Sequence, residues 1–118
     1  MIAVEYGIFL KLYNEALLYT DMEMYIFERG WQSWMDNYDV ESIRRILETT
    51  YKYGHTTMKE IRTKHGITRA EMARNYNIPL RTLEDWELNK NTPSNFKYIE
   101  PLILYTFFTY DINNEDNE

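Results

Sequence analysis

The chain contains no cysteine among its 118 residues. Disulfide bonds and thiolate metal sites are therefore excluded, and we expect a protein of the reducing cytoplasm. The opening residues lack a basic region followed by a long apolar run and a small-residue cleavage site, so no secretory signal is predicted. The apolar stretch 102–108 is far too short to span a bilayer, so no membrane partner is expected.

Sequence patterns typical of enzymes are missing too. No glycine-rich phosphate loop follows a strand pattern, and no nucleophile elbow is present. The two histidines, His55 and His65, do not have the spacing of metal ligands. Carboxylates are plentiful, but nothing marks a pair of them as catalytic. We therefore expect no enzymatic activity, no metal and no cofactor.

Charge is distributed unevenly along a chain whose net charge is −6. Four basic and nine acidic residues give −5 over 1–50, eight and five give +3 over 51–95, and one and five give −4 over 96–118. The net negative charge opposes DNA binding. The basic excess of the middle segment favours it locally, because electrostatic interactions act over a Debye length of about 8–10 Å.

Apolar residues in the middle segment follow the spacing of two helices that share a core. Ala73 is small enough for a second helix to cross at close range. Asn77 tolerates a positive φ and reverses the chain, and Pro79 fits the start of the next helix, predicted over 79–88. The apolar positions of this predicted core are Met72, Ala73, Tyr76, Ile78, Leu83 and Trp86.

The stretch 68–93 resembles the Cro/phage-repressor (XRE-type) family of helix-turn-helix domains. The matching features are Arg-Ala-Glu-Met-Ala at 69–73, Asn-Ile-Pro at 77–79, Leu83, the Trp86-Glu87 pair and the ending Asn-Lys-Asn-Thr-Pro at 89–93. With flanking helices the resemblance covers 56–110. It implies a helix-turn-helix that binds DNA, whereas an αα corner that binds nothing is the structural alternative.

Capping signals predict where other helices begin. Thr20, Thr57 and Thr68 each precede a glutamate by three residues, and Asp39 is a candidate cap. Helices are predicted over 21–35, 40–53 and 57–65, the last closed by Gly66. The helix over 40–53 presents Ile43, Ile46, Leu47 and Thr50 as an inward stripe, and a final apolar helix carries Tyr98, Leu102, Tyr105 and Phe108, with Pro101 in its first turn or at a kink.

The predicted fold is an all-α compact bundle of about five or six helices that contains a helix-turn-helix. Residues 1–55 form an N-terminal helical extension, 56–110 the helix-turn-helix domain and 111–118 an acidic disordered tail. The extension either covers the core or forms an interface for a homodimer or for a protein partner with a basic channel. Its apolar residues are Tyr13, Leu17, Leu18, Met22, Tyr25, Ile26, Trp31, Trp34 and Met35, and its acidic residues are Glu15, Asp21, Glu23, Glu28, Asp36 and Asp39.

The resemblance implies which residues meet double-stranded DNA. The start of the first motif helix and the exposed face of the second lie at the groove, and arginine or lysine side chains around them contact phosphates. Arg81 is the strongest candidate, since arginine bonds guanine through two acceptors, but it also has the spacing to pair with Glu84 or Asp85. The carboxylates are unusual here, and Glu84 fits only as an acceptor from cytosine N4. The candidate DNA-binding residues are Arg69, Arg74, Leu80, Arg81, Glu84 and Lys90. The basic excess of the middle segment adds Lys59, Arg62 and Lys64 as candidate phosphate or base contacts.

The sequence thus predicts a sequence-specific DNA-binding regulator of transcription, which acts by occupying a major groove. The alternative is a protein that inhibits a nucleic-acid-handling machine through its acidic surface, like the anti-CRISPR proteins encoded by phages or mobile elements. An antitoxin that binds both DNA and a toxin is a third hypothesis.

Overall fold

The computed structural model describes residues 2–88 and 96–114, and all regular structure within them is helical. The predicted all-α class is confirmed, with seven α-helices rather than five or six in the described part. None of these helices is long and apolar enough to cross a membrane. The helices are α1 (Tyr6–Ala16), α2 (Met22–Phe27), a 3-10 helix (Ser33–Asn37), α3 (Val40–Gly54), α4 (Met58–Lys64), α5 (Arg69–Asn75), α6 (Leu80–Glu87) and α7 (Phe96–Asn114).

Three of the four predicted caps are present. The side chains of Asp39, Thr57 and Thr68 each accept a hydrogen bond from a backbone N–H three residues later, at 2.7–3.1 Å. The prediction at Thr20 is wrong, because Asp21 caps α2 and accepts from two backbone N–H groups. The Asp21 carboxylate is charged and is therefore a stronger hydrogen-bond acceptor than the Thr20 hydroxyl.

Two residues with positive φ end α4 and α5. Gly66 has φ 70° and Asn77 has φ 53°. In each case the next residue donates back over the turn, Ile67 to Arg62 at 3.1 Å and Ile78 to Ala73 at 2.8 Å. Both ends are therefore closed by the αL geometry that glycine and asparagine tolerate best. The predicted chain reversal at Asn77 is confirmed.

The chain divides into two units that are described separately. Unit 1 consists of Met1–His55 with Tyr105–Glu118, and unit 2 is Thr56–Leu104. Residues 105–110, which the sequence suggested belong with the helix-turn-helix, are therefore part of unit 1. The Phe108 ring packs 4.7 Å from that of Phe9, which places this segment in the core of unit 1.

In unit 1, α1 and α2 both pack against α3. The predicted stripe of Ile43, Ile46, Leu47 and Thr50 is buried, as expected. Tyr25 is buried as well, and its hydroxyl donates to the Leu12 carbonyl at 2.9 Å.

The single helix predicted over 21–35 is wrong. The α2 helix ends at Phe27, and a separate 3-10 helix begins at Ser33. Arg29 supplies part of the reason, because its Nε donates to the Tyr25 carbonyl at 3.0 Å, the acceptor that a continuing helix would use for the Arg29 amide. Gly30 then adopts φ 61°, a conformation that stops a right-handed helix.

The disordered tail predicted from Asp111 is wrong for 111–114, whereas 115–118 lie outside the described residues. The α7 helix continues to Asn114, and Asp111 and Ile112 are buried. Asp111 accepts a hydrogen bond from the Tyr53 hydroxyl, and the Asn113 amide pairs with the backbone of Ile2. These polar residues are ordered because each has a partner far away in the chain.

The predicted final helix is confirmed, but its buried face differs from the spacing that suggested it. Tyr98 and Leu102 are exposed. Pro101 is the sixth residue of α7 and lies inside the helix. The buried apolar positions along α7 are Pro101, Ile103, Leu104, Phe107, Phe108 and Ile112.

In unit 2, α5 packs against α6. Met72, Ala73, Leu83 and Trp86 are buried, which confirms the main part of the predicted core, whereas Tyr76 and Ile78 are half-buried. The Trp86 ring also lies 4.3 Å from that of Phe96.

Candidate nucleic-acid interface

The first turn of α6 carries two exposed residues of the predicted interface. Pro79 precedes the helix with φ −57°. Leu83 and Trp86 are buried and form the inner side of α6. Leu80 is exposed, and the Arg81 side chain is 86% exposed. An apolar side chain and a guanidinium therefore stand next to each other at the start of the helix.

Arg81 faces one carboxylate on its own helix. Its Nε lies 3.6 Å from Oδ1 of Asp85, one turn later. An exposed pair of this kind contributes about 0–1 kcal/mol. Loss of the pair with Asp85 would therefore change the free energy of unfolding little, and Arg81 can bind a stronger bidentate acceptor instead.

Arg69, a second predicted contact, is engaged within unit 2. Its Nε donates to Glu87 Oε1 at 3.0 Å, and its Nη1 lies 3.9 Å from Glu84 Oε2. Both carboxylates belong to α6, so Arg69 links the start of α5 to that helix. Arg69 therefore helps to fix the position of α6 within unit 2.

Glu87 is the centre of an ion-pair network that sequence reasoning missed. Its side chain is only 1% exposed, and Arg62 donates to both carboxylate oxygens at 2.9 and 3.0 Å. Arg62 also donates to the Ile67 carbonyl at 2.9 Å and is buried, so the prediction that it contacts DNA is wrong. The network therefore ties α4, the turn after it and the start of α5 to α6. The one sequence signal for this network was an acidic residue directly after Trp86, a predicted core position.

The network makes the stability of the protein depend on pH. Burial alone would raise the pKa of Glu87, but hydrogen bonds and charge from Arg62 and Arg69 outweigh it and hold the pKa below its ordinary value. The stabilisation is thus fully present above the ordinary glutamate pKa of about 4.3 and is lost as the pH falls through the lower folded-state value.

We expect the free energy of unfolding to decrease on acidification below about pH 4.3, and to decrease less steeply in Glu87→Gln, which cannot titrate at this position. Urea denaturation of both proteins over a pH series measures the difference. Identical pH dependence would show that Glu87 is not held ionised by its arginines.

The other predicted contacts are less constrained. Arg74, at the end of α5, is exposed, as are Lys59 and Lys64 on α4. Glu84 is half-buried and shares Arg69 with Glu87. Lys90 lies outside the described residues. The exposed cations among the described residues of unit 2 therefore come from four helices, because Lys97 on α7 is exposed as well.

Nothing in the described residues 2–88 and 96–114 groups three or more histidine, cysteine or acidic side chains as a metal site would. His55 has a structural role, since its Nε2 hydrogen-bonds with the Ala16 carbonyl at 2.8 Å and its ring stacks 4.2 Å from that of Tyr51. It is therefore held by its neighbours in unit 1.

No protein-family model matches the chain, and neither a curated protein nor a solved structure is significantly similar to it. A function must therefore be argued from the geometry and the charges of α5 and α6.

Proposed function

We propose that unit 2 binds double-stranded DNA with α6 in the major groove, and that the protein regulates transcription by occupying its site. The observation that carries the proposal is Arg81, a guanidinium 86% exposed at the start of an eight-residue helix whose inner side is buried. A major groove admits one α-helix, and its guanines present O6 and N7 in the geometry of a guanidinium.

The connection between α5 and α6 supports this proposal. The αL turn at Asn77 joins two helices of seven and eight residues that pack against each other and bury Ala73, Leu83 and Trp86. This is the arrangement expected of a helix-turn-helix, in which the first helix crosses the backbone and the second enters the groove. The resemblance of 68–93 to the Cro/phage-repressor family points to the same use.

Three residues of α6 suggest which bases the protein would recognise. Arg81 suits guanine, the exposed Leu80 suits the methyl group of thymine, and Glu84 suits the N4 amino group of cytosine. Arg74 and Lys90 are the proposed phosphate contacts. We propose that two copies of the chain occupy successive helical turns of DNA, as dimeric regulators of this architecture do.

Selection of bound duplexes from a random pool, repeated over a salt series, tests the proposal. We expect a preferred sequence that contains guanine and binding that weakens with salt, because phosphate contacts release counterions. A palindromic preference would indicate two copies on the DNA, and a single half-site would indicate one. Absence of any preferred sequence at low salt would refute the regulator hypothesis.

Arg81→Ala is expected to weaken binding to the selected duplex by about 1–3 kcal/mol, roughly 5- to 150-fold, and to relax the preference at one base pair. Titration of labelled duplex measures both effects. Arg44→Ala is the matched control, since Arg44 is also an exposed arginine paired with a carboxylate one turn later, that of Glu48, but lies in unit 1. Equal losses in the two variants would mean that general charge, rather than the groove contact, explains binding.

A further inference from the structure

The turn after α1, the exposed side of α2 and the segment that follows α2 leave five large apolar side chains in solvent, within fifteen consecutive residues. Leu18 is 82% and Phe27 81% exposed. Met24 and Phe27 are three residues apart on α2 and so share a face of the helix. We call this the α2 surface, and it consists of Leu17, Leu18, Met24, Phe27 and Trp31.

Hydrogen bonds and ring contacts fix the segment that carries the α2 surface. The Tyr19 and Tyr25 rings lie 5.7 Å apart, which brings the turn after α1 next to α2. Arg29 joins them, since it donates to the Tyr25 carbonyl at 3.0 Å and to the Tyr19 hydroxyl at 3.1 Å and pairs with Glu15 at 2.7 Å. The Trp31 indole N–H donates to Asp36 at 2.7 Å. The surface is thus preorganised, which lowers the entropic cost of binding.

The charged side chains of the segment that carries the α2 surface are predominantly acidic. Residues 17–31 contain three acidic side chains, Asp21, Glu23 and Glu28, all of them on exposed residues. The single basic residue of this segment, Arg29, has a side chain only 8% exposed and is bound to Glu15. Arg44 reaches the edge of the segment, but Glu23 and Glu48 bind it. An approaching partner therefore meets apolar side chains and carboxylates.

We propose that the α2 surface docks a basic, amphipathic segment of another protein. The apolar side chains of such a segment cover Phe27, Leu18 and their neighbours, and its lysines or arginines meet Asp21 and Glu28. A second copy of this chain is disfavoured, because it would bring the same carboxylates to the contact, and like charges at an interface are unfavourable. The inference concerns unit 1 and is independent of the DNA-binding proposal for unit 2.

Calorimetric titration of the full chain with designed peptides tests the inference. The probe is an amphipathic helix of leucine and lysine with about five turns, ~18 residues. One comparison peptide has glutamate in place of lysine, and the other has serine in place of leucine. We expect binding of the leucine–lysine peptide alone. Equal binding of the glutamate or serine peptide would overturn the inference.

Variants locate the site of binding. Phe27→Ala and Glu28→Lys are each expected to weaken binding of the leucine–lysine peptide about tenfold or more, since a central aromatic side chain and a facing charge are lost. Val40→Ala, at an equally exposed apolar residue of unit 1 outside the surface, is expected to leave it unchanged. Similar affinities of the three variants for the peptide would overturn the inference. Sedimentation equilibrium provides a second test, and a dimer of the wild type that Phe27→Ala dissociates would also overturn it.

Discussion

Replacing Glu87 by alanine is expected to lower the free energy of unfolding by about 3–5 kcal/mol, because removal of one partner from a buried ion pair leaves the other charge uncompensated. Here two arginines lose their acceptor, and Arg62 retains only the Ile67 carbonyl among the bonds described above. Urea denaturation followed by far-ultraviolet circular dichroism measures the loss.

Glu84→Ala is the matched control for Glu87→Ala. Glu84 is a glutamate on the same helix that faces the same Arg69, but at 3.9 Å and with a side chain 39% exposed. Its replacement is expected to change the free energy of unfolding by no more than about 0.5 kcal/mol. If both variants lost the same stability, the network would not be the element that holds α4 and α5 to α6.

Ile112→Ala is expected to destabilise the protein by about 2–5 kcal/mol, because it removes a fully buried side chain and leaves a cavity that the helix can fill only in part. Ile112 belongs to the stretch whose composition suggested disorder, so this effect distinguishes a packed helix end from a solvated tail. Thermal and urea denaturation both report it.

Leu102→Ala on the same helix provides the comparison for Ile112→Ala. Leu102 is exposed, so its replacement is expected to cost less than about 0.5 kcal/mol. A small effect of Ile112→Ala, equal to that of Leu102→Ala, would mean that the end of α7 contributes nothing to the core of unit 1.

The features predicted correctly from the sequence depend on residues close together in the chain. The caps at Asp39, Thr57 and Thr68 each need only an amide three residues away. The reversal at Asn77 needs only a residue that tolerates positive φ. The buried stripe of α3 follows from helical periodicity alone.

Two of the features missed, the ordered end of α7 and the pairing of Arg69, depend on partners distant in sequence. Asp111 is buried because Tyr53, 58 residues earlier, donates a hydrogen bond to it. The local composition around Asp111 does not indicate that contact. Arg69 was predicted to lie at a groove, but Glu87, 18 residues later, binds it. The helix over 21–35 is interrupted partly because the Arg29 side chain takes a backbone acceptor, an event that periodicity does not encode.

The two arginines at the start of the predicted interface helices thus have different roles. Arg81 keeps the exposure that a base contact requires, and its pair with Asp85 is weak enough to exchange. Arg69 instead fixes the position of α6 through Glu87. A variant of Arg69 is therefore expected to affect DNA binding and stability together, whereas a variant of Arg81 is expected to affect DNA binding alone.

The central claim is that the Arg81 guanidinium contacts a guanine edge in the major groove. The most direct test compares wild type and Arg81→Ala on the selected duplex and on a copy in which the contacted guanine is replaced by 7-deazaguanine, which lacks the N7 acceptor. We predict that wild type loses about tenfold in affinity on the altered duplex, as expected for one charged hydrogen bond, and that Arg81→Ala loses nothing. Equal losses for the two proteins at every guanine of the site would contradict the claim.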